Sequence, residues 1–190
     1  MNPFSEGAHR RGGAARPEAQ LPRALALVGI VFGAVFVLVN AGGLPGPWDG
    51  VARIAGVCLI VTAAWRGLIR ARPLEDTWPG SARAYWIAVG VEIVAIPAGA
   101  VVLNRVLELP DLVVLWVVFV VGAHFLPARM FAIGRYAELG VVLMLLAVGS
   151  AAAHLAAGLS WVPSLGAVLA GMVLLAFAAI PALAHPGTRS

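Results

Sequence analysis

The sequence has no lysine, a single cysteine and few charged residues of either sign. Because Cys58 stands alone, the chain cannot form an intramolecular disulfide or a cysteine-based metal cluster. Charged residues occupy 12% of the 190 positions, which is about half their usual share in a soluble domain. The scarcity of charge therefore argues against a soluble domain and predicts an integral membrane protein.

Apolar residues are abundant, at 61% of the chain with a mean hydropathy of +0.94. All thirteen basic residues are arginine, and with the frequent Ala, Gly, Val and Pro this composition is typical of a GC-rich bacterial genome. Most arginines stand at the ends of apolar segments, so the excess of basic over acidic residues does not indicate nucleic-acid binding. Arg10, Arg11 and Arg16 form a loose basic tail, whose predicted partner is anionic lipid of the bilayer.

Six apolar segments are long enough to cross a hydrocarbon core of about 30 Å as helices of about 20 residues. They lie near 23–41, 52–70, 84–103, 112–131, 136–157 and 162–184. Stretches rich in Gly and Pro separate them, and lipid offers an irregular backbone no hydrogen bonds. The sequence predicts an all-α bundle of six transmembrane helices over 23–184, between a disordered basic tail (1–22) and a short tail (185–190).

The arginines also predict the orientation of the bundle. If the N-terminus is cytoplasmic, eleven of the thirteen arginines lie on the cytoplasmic side, and only Arg53 and Arg105 lie outside. Both termini are therefore predicted to be cytoplasmic, in a multi-pass protein of the bacterial cytoplasmic membrane. A cleaved signal peptide ending at 39–41 is the alternative for the first segment, but its apolar run is longer than the usual 7–15 residues.

Glu92 is the most informative polar position. It lies eight residues into the third segment, about 12 Å from the cytoplasmic boundary, where a charge costs about 3 kcal/mol on insertion scales. Ala88, Ala95 and Gly99 share its helical face and form a stripe of small residues suited to close helix packing. Glu92 is therefore predicted to face the bundle, either as a proton, cation or ligand site or as a protonated hydrogen-bonding link between helices. Pro97 predicts a kink one turn later.

The fourth segment places a histidine inside the membrane. Only fourteen residues separate Leu112 from Phe125, about 21 Å of helix, so the helix is predicted to continue through Pro127 toward Phe131. Pro127 has no N–H and leaves the carbonyl of Ala123 unpaired, which predicts a kink beside His124.

The third and fourth segments are joined by a short connection and run antiparallel, so they are predicted neighbours. Counted from opposite boundaries, Glu92 and His124 reach the same depth, about 12 Å from the inner side. A carboxyl and an imidazole at one depth can share a proton and stay nearly neutral. The two side chains are therefore predicted to contact each other.

Two further stripes follow helical spacing. Ala55, Cys58, Thr62 and Arg66 lie on one face of the second segment, where Thr62 and Arg66 are predicted to project inward as candidate polar site residues. For Arg66, snorkelling to the headgroups is favoured over pairing with an acid. In the first segment, Gly29, Gly33, Phe36 and Asn40 share a face that is predicted to pack within the bundle rather than to form a dimer.

His154 shares a face of the fifth segment with Ser150, which is predicted to be its hydrogen-bond partner. A haem held between His124 and His154 is excluded, because the two histidines differ by about 15 Å in predicted depth. No nucleotide-binding, nucleophile or zinc-protease motif is present, so neither a cofactor, a metal nor a catalytic residue is predicted.

One pattern in the sequence resembles a known group of proteins. In this pattern a helix with a glutamate is followed by Gly122, His124, Phe125 and Pro127. Over roughly 60 residues, the third to fifth segments resemble a group of bacterial integral membrane proteins with a Gly-x-His-Phe-x-Pro pattern. The group usually has Leu-Ala after the proline, where this chain has Ala128 and Arg129. The resemblance implies a compact helical membrane protein, and it implies no activity.

Two functional hypotheses follow. The first is a small solute- or proton-coupled transporter, or a channel-like subunit, with Glu92 and His124 in an inner cavity. The alternative is a non-catalytic membrane scaffold that binds partners or lipid. An enzyme is disfavoured, because no nucleophile or metal cluster accompanies the acid and the histidine. A polar cavity reaching Glu92 favours transport, and a fully packed interior favours the scaffold.

Overall fold

The computed structural model of the protein describes the backbone of residues 21–66, 82–126 and 134–180, and side chains within 27–66, 87–126 and 136–180. In this part of the chain the backbone forms six α helices and no strand, which confirms the predicted all-α class. The helices are α1 (Leu21–Asn40), α2 (Trp48–Ala64), α3 (Ala82–Val101), α4 (Val113–Phe125), α5 (Gly134–Ala157) and α6 (Val162–Ala179). The predicted tails fall almost entirely outside these residues.

Glycine and proline mark the helix ends, as the sequence predicts. At the end of α5, Gly158 has a φ of 66°, which suits glycine, and its N–H donates to the carbonyl of His154 at 2.8 Å. Pro163 lies in the first turn of α6, where a missing N–H costs no helical hydrogen bond. The sixth helix ends at Ala179 and Ile180 is extended, because the following proline disfavours a helical conformation. The rest of the predicted segment, to 184, lies outside the described residues.

Three helical segments are long and apolar enough to cross a membrane: Ile87–Val106, Tyr136–Ala157 and Val162–Ala179. The first combines α3 with the π-helical turn Val102–Val106 that follows it. Leu27–Gly43 and Pro110–Phe125 are shorter apolar helices. Large apolar side chains are widely exposed, for example Ile54 at 70% and Ile93 at 66%. Exposure on this scale is abnormal for a protein in water and is expected for a surface in lipid.

The sixth helix lies at the centre of the bundle and packs against α1, α2, α4 and α5. Its tightest crossing is with α1, where a Cβ on Gly171 would lie 2.7 Å from the carbonyl oxygen of Gly33. Gly29 also packs on this helix, against Ala178. The small-residue face of the first helix thus packs within the bundle, as predicted, because glycines let the two backbones approach closely.

The third helix lies at the edge of the bundle, and its main packing partner is α4. None of its described side chains is fully buried. In contrast, α4 is well buried because it also packs against α5 and α6. At the crossing of α4 and α5, Gly122 and Gly140 face each other, and a Cβ on Gly122 would lie 2.8 Å from the Gly140 carbonyl oxygen. The fold therefore places α3, which packs mainly against one helix, beside α4, which packs against three.

Candidate functional site

The third helix turns one face toward α4. Ala88, Glu92, Ala95 and Gly99 recur on it at intervals of three or four residues, and each is partly buried. Side chains on the opposite side are exposed, such as Val94 at 66%. The predicted small-residue stripe is therefore the packed face of α3, and Glu92 faces the bundle.

Trp116 of α4 holds this face at close range. Its indole Nε1 donates a hydrogen bond to the carbonyl oxygen of Ala95 at 3.0 Å. The indole ring also lies over Gly99, where an added Cβ would overlap it. Only glycine leaves room for the ring at this position. Sequence analysis missed this contact, although a glycine in an apolar helix is a known signal of close packing.

Glu92 and His124 lie together one and a half turns further along the same interface. The Oε2 atom of Glu92 is 3.0 Å from Nδ1 of His124, and the two side chains are 16% and 14% exposed. The contacts Glu92–His124 and Gly99–Trp116 run in opposite directions along the two helices, so α3 and α4 are antiparallel. The predicted contact is present, and it rests on the predicted arrangement of the two helices.

Aromatic rings support His124 from behind. The ring of Phe125 meets the imidazole edge to face, with centroids 5.7 Å apart. Phe125 stacks on Tyr136 of α5 at 6.1 Å, and Tyr136 meets Phe177 of α6 at 5.1 Å. These ring contacts and the Gly122–Gly140 crossing fix the end of α4 against α5 and α6. His124 therefore lies at the end of a helix that packs against α5 and α6, whereas Glu92 lies on α3, which packs mainly against α4.

A cavity of about 270 Å³ lies beside the pair and is partly open. Its walls come from α1, α3, α4 and α6, and they include Val28, Phe32 and Ile96. These positions lie toward the end of the bundle at which α1 and α3 begin and α4 ends. Glu92 and His124 are the two ionisable residues among the described side chains of its lining. We call this space the Glu92–His124 cavity.

The chemistry available to the site is proton binding and ion pairing. A carboxyl and an imidazole 3.0 Å apart can hold one proton between them, either as a carboxylate with an imidazolium or as two neutral groups. The residues that the structure describes contain no group of three or more His, Cys, Asp or Glu side chains that could hold a metal ion. The site therefore offers one carboxyl and one imidazole in contact, among apolar side chains of the described residues.

Thr62 and Arg66 do not join this site. Both are exposed, and the Thr62 hydroxyl donates to the carbonyl of Cys58 on its own helix at 2.7 Å. The prediction that they project inward is wrong, because α2 packs through a different face that carries Ala52, Gly56 and Ala63. Val37 of α1 occupies the space over Gly56, so the smallest residues decide which face of α2 is buried.

The two predicted kinks have different outcomes. Pro97 lies inside α3, which continues as an α helix to Val101 and then widens into the π-helical turn. The missing N–H of Pro97 leaves the Ile93 carbonyl without its helical donor, and a bend there stays a prediction. Pro127 lies outside the described residues, so the kink beside His124 stays a prediction as well.

His154 is bound differently from the prediction. Its Nδ1 lies 2.9 Å from the carbonyl oxygen of Leu159, and its Nε2 lies 3.8 Å from Oδ2 of Asp111. The side chain of Ser150 instead packs over Gly166 of α6. His154 therefore links the end of α5 to the turn before α4, far along the chain from Glu92, and it does not extend the candidate site.

No protein-family model, no curated protein and no solved structure matches the chain. The resemblance carried by Gly122, His124, Phe125 and Pro127 therefore stays a prediction. The geometry of the Glu92–His124 cavity is therefore the observation that bears on function.

Proposed function

We propose that the chain is a multi-pass protein of a bacterial cytoplasmic membrane, with α1 to α6 as six spans and both termini in the cytoplasm. The three long apolar helices and the exposed apolar surface support membrane insertion. The distribution of eleven arginines to one side and two to the other supports the orientation. The basic N-terminal residues Arg10, Arg11 and Arg16 then lie beside anionic headgroups of the inner leaflet.

We infer that this membrane protein is a proton-coupled transporter of a small solute. One observation carries the proposal: the Glu92–His124 pair lies on the wall of a partly open cavity instead of in packed protein. An intramembrane acid is expensive, and a purely structural acid is best enclosed by its neighbours. A cavity beside Glu92 leaves room for a solute whose binding depends on whether the Glu92–His124 pair carries a proton.

The packing supplies an element that can move. His124 lies on a helix held by α5 and α6, and Glu92 lies on a helix held mainly by α4. Protonation changes the attraction between the two side chains, and it therefore biases how closely α3 approaches the bundle. In the orientation proposed above, the cavity lies in the cytoplasmic half of the membrane. A proton and a solute that compete for this cavity are thereby coupled.

Proteoliposomes with an acidic lumen test the proposal. A lumenal pH dye reports collapse of the gradient after addition of tetraethylammonium, benzenesulfonate or sorbitol, one permanently charged cation, one permanently charged anion and one neutral solute. We expect at least one solute to accelerate the collapse in wild-type vesicles and in Glu138→Gln vesicles. Glu138 is an exposed acid on α5 and gives a matched control. Glu92→Gln vesicles should behave like protein-free vesicles.

If no solute changes the gradient in any vesicle beyond the protein-free rate, the transport proposal is wrong. The Glu92–His124 pair is then a lock between α3 and α4, as the scaffold alternative requires. Acceleration that is equal in wild-type and Glu92→Gln vesicles also contradicts the proposal, because the proton would not be carried by this pair.

A further inference from the structure

The Glu92–His124 cavity has one polar corner in an otherwise apolar wall. Among the side chains that the structure describes, the others that line it, on α1, α3, α4 and α6, carry no ionisable group. We propose that the cavity binds a small organic monocation, an ammonium ion with an apolar body, in exchange for the proton that Glu92 and His124 share. This inference rests on the proposed function and names the class of solute.

The charge of the site selects a cation. An apolar cavity tolerates little net charge, so the carboxylate of Glu92 needs one positive partner. In the proposed exchange a proton on the pair supplies it in the empty cavity, and an ammonium ion beside Glu92 supplies the same charge after the proton has left. An anionic solute would add a second negative charge near Glu92, and a neutral solute would leave the carboxylate uncompensated once the proton departs.

The exchange balances in atoms and charge. An N–H bond of the His124 imidazolium breaks, its electron pair stays on the ring nitrogen, and water accepts the proton. The Glu92 carboxylate then pairs with the incoming ammonium instead of with the imidazolium. No covalent bond to the solute forms and nothing is oxidised or reduced. One monocation therefore enters for each proton released, and the net charge of the cavity is unchanged.

The rings that line the cavity suit a cation. Phe32 of α1 and Phe125 of α4 both contribute to its wall. The imidazole of His124 already lies 5.7 Å from the centre of the Phe125 ring, inside the range of about 6 Å over which an aromatic ring attracts a cation. An ammonium ion that replaces the imidazolium as the partner of Glu92 meets the same apolar and aromatic surroundings.

The volume limits the solute to a small one. At about 270 Å³ the cavity lies just below the range of about 300–1,000 Å³ typical of small-molecule sites. Tetraethylammonium is a suitable probe, because it is compact, apolar in its outer atoms and positively charged at every pH. Benzenesulfonate is a compact aromatic anion that separates attraction to the charge from attraction to the apolar wall.

Calorimetry on the full chain in lipid nanodiscs tests the inference. We expect tetraethylammonium to bind, with close to one proton released per ion at pH 6, measured from the dependence of the binding heat on the ionisation enthalpy of the buffer. Benzenesulfonate should bind at least about tenfold more weakly.

Two pairs of variants locate the site. Glu92→Gln should abolish tetraethylammonium binding, and Glu138→Gln should leave it unchanged. Ile96→Trp fills the cavity but keeps both charged groups, so it should also abolish binding. Val94→Trp places the same bulk on the exposed face of α3, where 66% of the valine is accessible, and should leave binding unchanged.

Tighter binding of benzenesulfonate than of tetraethylammonium would overturn the monocation inference, and so would cation binding that survives both Glu92→Gln and Ile96→Trp. Binding without proton release overturns the exchange. These outcomes are distinct from failure of the transport proposal, which the proteoliposome assay decides with solutes of all three charge types.

Discussion

Glu92 and His124 are each costly in an apolar bundle, and the contact between them removes much of that cost. Either residue alone would be a charged group or an unsatisfied polar group, and apolar surroundings solvate neither kind of group. At 3.0 Å they can share one proton and satisfy each other. The cost of removing one partner therefore exceeds the cost of removing both, because the single variant leaves a polar group behind.

A double-mutant cycle measures this coupling. Glu92→Leu and His124→Phe should each lower the free energy of unfolding in detergent, and the double variant should lose less than the sum of the two. We expect a coupling energy of about 0.5–3 kcal/mol, as for other residues in direct contact. Glu138→Gln combined with His124→Phe serves as the control pair and should be additive. Additive losses in the first cycle would mean that the 3.0 Å contact contributes nothing to stability.

The contact of Glu92 with His124 was predictable, because it depends only on helix rise and on the positions of the connecting residues. The contact of Trp116 with Gly99 was not. A glycine indicates that a neighbouring helix approaches closely. It does not indicate which of several large side chains on that helix fills the space. The partner of His154 was missed for the same reason, since the Leu159 carbonyl belongs to a turn whose geometry hydrophobic periodicity does not specify.

At the scale of helices, the buried faces follow the smallest residues more closely than the polar ones. In α2 the polar stripe with Thr62 faces outward, and the face with Gly56 and Ala63 packs against the bundle. In lipid there is no strong hydrophobic drive to hide apolar side chains, so helices associate where their backbones can approach. Sequence analysis succeeded in α1 and α3 because their polar and small residues share one face.

The Gly122–Gly140 crossing gives a prediction at this scale. Gly122→Ala should destabilise the protein by about 1–3 kcal/mol, because its Cβ would lie 2.8 Å from the Gly140 carbonyl oxygen and 3.0 Å from Leu143. Gly149→Ala, on α5, should be neutral or slightly stabilising, since nothing lies within 4 Å of its Cβ and alanine favours a helix. Unfolding in detergent, followed by circular dichroism, compares the two. Equal effects would contradict the close crossing.

At the scale of the whole molecule, composition and segment length were enough to predict an all-helical fold, with helices long and apolar enough to cross a membrane among the described residues. The arrangement of the helices was not predictable in the same way. Nothing in the sequence alone singles out α6 as the central helix or leaves α3 at the edge, because both are equally apolar runs. Their places depend on which glycines meet, such as Gly33 with Gly171, and that pairing is a property of the assembled bundle.

The proposed orientation leads to the last prediction, and the lone cysteine makes it simple to test. In a Cys58→Ala background, single cysteines are introduced at Gly46, Glu108, Ser160 and Trp78. The first three lie in exposed connections at one end of the bundle, and the arginine bias places that end outside the cell. A membrane-impermeant maleimide should label them in intact spheroplasts, and it should label a cysteine at 78 only after the membrane is permeabilised. The reverse pattern would invert the bundle. A pattern in which 46, 108 and 160 do not share one side, or in which 78 lies on that same side, would rule out six spans.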